Sequence, residues 1–140
     1  MTDPTPIIQS LLIGLPILLL HLGSATAIWL AAILIYVWIT PHKELELIRA
    51  GNESAAISLG GALIGFAIPL AFCLAGSVSV WDILIWGSVT LVLQLIAYGA
   101  VDFILRNLSK RIEEDQRSAA IFLATTKIAI AALNAAAVAG

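Results

Sequence analysis

Residues 54–76, SAAISLGGALIGFAIPLAFCLAG, form a continuous run of apolar and small side chains without a single charged residue. An α-helix rises about 1.5 Å per residue, so about 17 to 25 such residues cross the roughly 30 Å of hydrocarbon in a bilayer. Three other stretches, 17–39, 81–105 and 118–140, are predominantly apolar over a similar length. None has the ten-residue alternation of a membrane β-barrel, and helices satisfy their own backbone hydrogen bonds in lipid. The sequence therefore predicts an all-α, polytopic membrane protein with four transmembrane helices.

The composition of the whole chain agrees with a membrane location. Of 140 residues, 61% are hydrophobic and 11% charged, whereas soluble domains average about 45–50% apolar and about 25% charged residues. The net charge is -2, and no basic patch with interleaved aromatic residues is present. We therefore expect the lipid bilayer, and no nucleic acid, as a partner. The single cysteine, Cys73, excludes an intrachain disulfide and a cysteine metal cluster, so we expect it to be a packing residue.

The chain resembles itself when it is shifted by 64 residues. Residues 54–59 and 118–123 share Ser-Ala-Ala-Ile and a leucine at the same positions, and residues 23–26 align with 87–90 through Gly, Ser and Thr. Each copy holds two crossings, an even number, so both copies enter the membrane from the same side. We therefore predict two tandem, parallel two-helix repeats, at residues 17–76 and 81–140.

Residues 1–16 have no counterpart in this alignment. They carry no Lys or Arg ahead of their apolar run, so they do not form a typical secretory signal peptide, and we expect them to be retained. Gly14 and Pro16 weaken a continuous helix. The segment is therefore either an interfacial piece or a kinked extension of the first span.

The orientation follows from the basic residues, which favour the cytoplasmic side of a membrane. Six of the seven Lys and Arg residues lie in the first and third loops: Lys43, Arg49, Arg106, Lys110, Arg111 and Arg117. This bias places both termini outside, in the periplasm, and both charged loops in the cytoplasm.

Two stretches carry a resemblance to a known family. Residues 40–52, TPHKELELIRAGN, followed by Ser-Ala-Ala at 54–56 and Leu-Gly-Gly-Ala at 59–62, resemble the YjfL-like family of small bacterial inner-membrane proteins, a domain of unknown function. Residues 111–114, RIEE, and the segment after them resemble its second half. The resemblance extends from about Ile17 onward and implies four spans in two repeats, without a catalytic residue. Asp115 and Gln116 replace an expected Gly-Asn, and Lys127 occupies a position where a small or hydroxyl residue would be usual.

Small residues mark two helix faces. Gly61 and Gly65 have a GxxxG spacing, with Gly60 beside them, and Ala132, Ala136 and Gly140 repeat the spacing in the fourth span. Such faces permit close approach of another helix. Since four short helices bury little among themselves, we expect a homo-oligomer, most simply a dimer, that uses the Gly60, Gly61 and Gly65 face. A glycine-lined conduction path is the alternative.

Five polar side chains at membrane depth are candidates for an ion pair or a relay: Lys127, Asp102, Gln94, Asn134 and His21. His21 falls near the outer interface, where a neutral imidazole costs little, and Gln94 and Asn134 can hydrogen-bond across helices.

Lys127 lies about 13 Å deep, where insertion costs about 2.5 to 3.5 kcal/mol, so it needs a partner, water or deprotonation. We predict an ion pair with Asp102, because the two side chains lean toward each other on antiparallel helices. A gating or relay cation, or snorkelling to the surface, is the alternative.

No motif of an enzyme, a metal site or a cofactor site is present, and we expect His42, beside Lys43 and Glu44, to be a solvated loop residue. The sequence favours a structural or regulatory homo-oligomer that is not an enzyme. The alternative is a minimal ion channel, or an ion- or proton-coupled transporter, that uses the intramembrane polar residues.

Overall fold

The computed structural model describes residues 5–76 and 79–140. They form six helices, in the order α1 (Thr5–Ile39), α2 (Glu44–Arg49), α3 (Glu53–Ala75), α4 (Val80–Leu105), α5 (Leu108–Glu113) and α6 (Arg117–Ala139). The four long helices, α1, α3, α4 and α6, are long and apolar enough to cross a membrane. The predicted all-α fold with four spans is confirmed, and the bounds of the last three spans agree within one residue.

Local sequence explains where two of these helices begin. The side chain of Asn52 accepts a hydrogen bond from the backbone N–H of Ala55 at 2.7 Å, which satisfies a free amide at the start of α3. Ser79 and Asp82 form a capping box at the start of α4, each accepting from the other's backbone amide. The N-cap residues, Asn52 and Ser79, both lie outside the apolar stretches, so polar side chains set the ends of helices whose length the bilayer requires.

The first helix is much longer than a bilayer is thick. It has 35 residues, which corresponds to about 52 Å at 1.5 Å per residue. Residues 5–20, the α1 extension, are exposed on every side, and Ala25 is the first buried position along the helix. Pro16 lies inside this helix and does not end it. Residues 5–16 are therefore a helical continuation of the first span.

α3 is the central element of the bundle, because it contacts each of the other five helices. Its closest neighbour is α6: a Cβ built on Gly61 would lie 2.6 Å from the Cα of Ala124. One end of the bundle, which we call the charged end, carries α2 and α5 and has a core that includes Val101, Ile112 and Leu123. The opposite end is closed by a smaller cluster: Ala25, Leu70, Cys73 and Ile83.

The predicted oligomer face consists of Gly60, Gly61 and Gly65, and the prediction is wrong for Gly61 and Gly65. Gly61 packs against α6 of its own chain, and a Cβ on Gly65 would lie 2.7 Å from Nε2 of Gln94. Both glycines are buried by close intrachain packing and are therefore not available to a second chain. Gly60 points into open space, and Ala132 and Ala136 are exposed on α6.

Candidate functional site

A buried lysine lies where three spans meet. Lys127 on α6 is 0% exposed. Its Nζ donates one hydrogen bond to the hydroxyl of Tyr36 on α1 and another, of 3.3 Å, to the backbone carbonyl of Ser58 on α3. The same Nζ lies 4.5 Å from the centroid of the Tyr36 ring, within the range of a cation–π interaction. Lys127 is thus held inside the bundle and does not snorkel to its surface.

The predicted ion pair between Lys127 and Asp102 is wrong. Oδ1 of Asp102 accepts a hydrogen bond of 2.8 Å from the backbone N–H of Leu108, the first residue of α5. The chain reverses direction directly after α4, so this free amide is the nearest strong donor to the carboxylate. Within the part of the chain that the structure describes, Lys127 forms no salt bridge.

Ser58 connects the lysine to a buried acid. Its hydroxyl donates to Oε1 of Glu44 on α2 at 3.2 Å, while its carbonyl accepts from Lys127. Nε2 of His42 lies 3.1 Å from the same Glu44 oxygen. The side chains of His42 and Glu44 are both 0% exposed, and the imidazole stacks on the ring of Tyr98, with 6.0 Å between ring centroids.

Sequence reasoning missed this acid and histidine. The expectation that His42 is solvated is wrong, because its ring is fully buried against Tyr98 and the carboxyl group of Glu44. Glu44 is not among the candidate residues that the sequence predicts. One feature of the sequence could have pointed to the two residues: both lie in the stretch 40–52, which carries the family resemblance.

Two carboxamides extend the polar contacts along α4 and α6. Nε2 of Gln94 donates to the backbone carbonyl of Lys127 at 3.2 Å, and Nδ2 of Asn134 donates to the hydroxyl of Thr90 at 2.9 Å. The predicted hydrogen bonds of Gln94 and Asn134 across helices are confirmed. We call the whole set the polar column: His42, Glu44, Ser58, Tyr36, Lys127, Gln94, Thr90 and Asn134.

The other two candidates lie outside the polar column. Asp102 organises the turn into α5, as described above. His21 is only partly buried, and its Nδ1 contacts the carbonyl of Ile17 one turn earlier in α1, at 2.9 Å. The structure thus brings Lys127 and Gln94 into contact, with Asn134 two turns further along α6, and separates them from Asp102 and His21.

Three buried atoms of the polar column have no hydrogen-bond partner among the described residues: Oε2 of Glu44, Nδ1 of His42 and Oε1 of Gln94. Leaving such atoms unpaired in a protein interior is costly, and native structures contain few of them. His42 and Glu44 also line a groove of about 480 Å³ between the end of α1 and α2, together with Trp38 and Lys43. Two of the three unpaired atoms, those of His42 and Glu44, therefore belong to residues next to a space that is open to the surroundings.

The chemistry available to this arrangement is that of proton and charge handling. The imidazole of His42, the carboxyl group of Glu44 and the hydroxyl of Ser58 are joined through hydrogen bonds, and the amine of Lys127 is bonded to the hydroxyl of Tyr36. The backbone carbonyl of Ser58 connects the two groups, and each of these side chains can bind and release a proton. No group of three His, Cys, Asp or Glu side chains that could hold a metal ion occurs in residues 5–76 and 79–140.

Comparison with known proteins identifies the relatives of this chain. Residues 10–138 match the family model described as Domain of Unknown Function (DUF350). The UPF0719 inner membrane protein YjfL of Escherichia coli strain K12 is 36% identical over 102 residues, which cover 73% of this chain and 77% of the relative. The protein of the same name from Escherichia coli O157:H7 matches to the same extent. No solved structure matches the chain. Since the family model covers nearly the whole sequence, the chain belongs to the DUF350 family, as the resemblance of residues 40–62 predicted.

Proposed function

We propose that this protein is a multi-pass protein of the bacterial inner membrane that transfers a small ion along the polar column. One observation carries the proposal: Lys127 and Glu44 are both fully buried and are joined through Ser58. A charged side chain in a transmembrane helix costs several kcal/mol and usually belongs to an ion pathway or a relay. The unpaired acceptors of Glu44 and Gln94 support a pathway more than a structural ion pair, because a structural pair would satisfy its own polar atoms.

Location and orientation are part of the same proposal. The inner-membrane description of the relatives supports the location. The concentration of Lys and Arg in the loops that hold α2 and α5 supports cytoplasmic loops and periplasmic termini. We propose that the column therefore opens to the cytoplasm at the groove beside α2.

Tandem duplication is also proposed. α2 and α5 begin and end 64 residues apart, and so do α3 and α6. This common offset supports two parallel two-helix repeats, at residues 17–76 and 81–140. The contacts of Lys127 do not follow this repeat symmetry. Lys127 belongs to the second repeat, and its hydrogen-bond partners Tyr36 and Ser58 belong to the first.

Ion flux into liposomes tests the proposal. Purified protein is reconstituted, and the movement of protons, sodium, potassium and chloride is followed with ion-selective dyes. We expect flux of one of these ions above that of empty liposomes, and we expect Lys127→Met to abolish it. Asp102→Asn is the matched control, because it removes a charge at membrane depth outside the column, and its amide oxygen still accepts from Leu108. Equal flux for wild type and empty liposomes, or unchanged flux in Lys127→Met, would refute the proposal.

A structural or regulatory homo-oligomer without enzymatic activity is the second candidate. Ala132 and Ala136, one turn apart, are exposed on α6, where small residues permit a close helix contact with a second copy. Mass measurement in nanodiscs should show a dimer that Ala132→Phe dissociates. A stable dimer together with the absence of any ion flux would favour this candidate over the first.

Cysteine labelling tests the orientation. In a Cys73→Ser background, Thr5→Cys should react with a membrane-impermeant thiol reagent in intact cells, and Lys110→Cys should react only after the cells are opened. The opposite pattern would place the groove beside α2 in the periplasm.

A further inference from the structure

We propose that the transferred ion is the proton, and that His42 and Glu44 load it from the groove beside α2. This inference rests on the proposed ion transfer along the polar column. It assigns a binding site to two residues that lie outside the four spans, and it names the ion that the site accepts.

The space around the two side chains selects the ion. His42 and Glu44 are both fully buried, and neither Oε2 of Glu44 nor Nδ1 of His42 has a hydrogen-bond partner among the described residues. A dehydrated metal cation needs several oxygen ligands, whereas the side chain of Glu44 has one oxygen partner among the described residues, the hydroxyl of Ser58. A proton needs a single lone pair, and both unpaired atoms supply one.

Charged and titratable groups approach the two side chains from several of the packed helices. Tyr98 on α4 stacks on His42, and Tyr36 on α1 is bonded to Lys127 on α6, which lies on the far side of Ser58 from Glu44. Lys43 forms an exposed pair with the other acid of α2. Ser58 therefore joins the side chain of Glu44 to the buried amine of Lys127.

The loading step balances with water as the only co-reactant. With the imidazole proton on Nε2, His42 donates to Oε1 of Glu44 across 3.1 Å. A hydronium in the groove gives its proton to the lone pair of Nδ1, forming an N–H bond there. The N–H bond at Nε2 breaks, and that proton forms an O–H bond on Glu44. One proton has moved from the groove to the acid, and His42 is left neutral as its other tautomer.

The acid is then in contact with the rest of the column. Ser58 donates to the same carboxyl oxygen that receives the proton, and its carbonyl binds Lys127. Protonation of Glu44 removes the negative charge that faces Lys127 across Ser58. Loading therefore changes the charge that Lys127 meets across Ser58, which couples the groove to the centre of the membrane.

Reconstituted full-length protein in liposomes tests the inference. An imposed potential drives uptake, and an internal pH dye together with sodium-, potassium- and chloride-selective dyes reports which ion moves. We expect protons alone to move, and we expect Glu44→Gln to lower proton flux by about 100-fold, as loss of a proton-transfer group does. Glu46→Gln is the matched control, because it neutralises an exposed acid on the same short helix, and it should leave the flux unchanged.

His42→Gln provides a second variant, since its amide can still donate to Glu44 but cannot pass a proton on. It should lower proton flux while the protein keeps its wild-type elution volume and tryptophan fluorescence. Flux of sodium, potassium or chloride that Lys127→Met abolishes, with no proton movement, would overturn the inference and leave the proposed ion transfer standing. Wild-type proton flux in Glu44→Gln would also overturn it, and no flux of any ion in the wild type would overturn both.

Discussion

Two adjacent glycines of α3 should respond to the same substitution in opposite directions. A Cβ on Gly60 would meet no atom within 4 Å, whereas a Cβ on Gly61 would lie 2.6 Å from the Cα and 2.7 Å from the Cβ of Ala124 on α6. The atom in the way is backbone, so no side-chain rotation can relieve the contact. Gly61→Ala therefore forces α3 and α6 apart, and Gly60→Ala does not.

The magnitude follows from two terms. Alanine is favoured over glycine inside a helix by about 1 kcal/mol, and this gain applies equally to both positions. Overpacking a tight interface costs about 1 to 3 kcal/mol, and only Gly61→Ala incurs it. Since the shared gain cancels, Gly61→Ala should be less stable than Gly60→Ala by about 1 to 3 kcal/mol, which is about 5- to 150-fold in the unfolding equilibrium constant.

Reversible unfolding in mixed micelles measures this difference. Trp29 is a suitable reporter, because its Nε1 donates to the carbonyl of Leu63 on α3 at 3.0 Å, and separation of the helices would expose the ring. Gly60→Ala should match or exceed wild-type stability. Equal free energies of unfolding for the two variants would refute the close approach of α3 and α6, and with it the placement of Lys127.

Two further predictions concern the charged end. Asn52→Ala removes the cap of α3 and the hydrogen bond of 2.9 Å from Nδ2 to the carbonyl of Ile112. We expect the free energy of unfolding to fall by about 2 kcal/mol in the same assay. A decrease below about 0.5 kcal/mol would contradict this prediction. The backbone N–H of Ser54 donates to Asp115 at 2.7 Å and lowers the pKa of that carboxyl from its ordinary value of 3.8. The ionised form thus stabilises the fold above about pH 4, and this contribution is lost as the pH falls through the lowered folded-state pKa. Asp115→Asn should flatten the pH dependence of the midpoint of thermal unfolding below about pH 4, and an unchanged slope would count against the bond.

Sequence alone determined the features that depend on local chemistry. A bilayer of about 30 Å requires apolar stretches of a fixed length, so the spans from Ser54, Trp81 and Ser118 could be read directly and agree within one residue with α3, α4 and α6. The cap at Asn52 is also a local feature, because it joins residues only three positions apart, and so it can be predicted from the sequence. The sequence did not determine whether the α1 extension is helical, since Gly14 and Pro16 weaken a helix but do not show where it starts.

Only the tertiary structure decided the partners of the buried charges. Lys127 and Tyr36 are 91 residues apart, and Ser58 and Glu44 belong to different helices. Which side chains meet depends on the rotation of each helix about its axis. In the observed orientation of α3, Gly61 packs closely against α6 and Gly65 packs closely against Gln94. Hydropathy is nearly uniform around a helix in lipid, so the apolar pattern carries little information about rotation. Depth and the lean of the side chains along antiparallel helices therefore predicted Asp102 as the partner of Lys127, without any information about which faces meet. His42 is buried for a related reason, because its ring stacks on Tyr98, which is 56 positions away in the sequence.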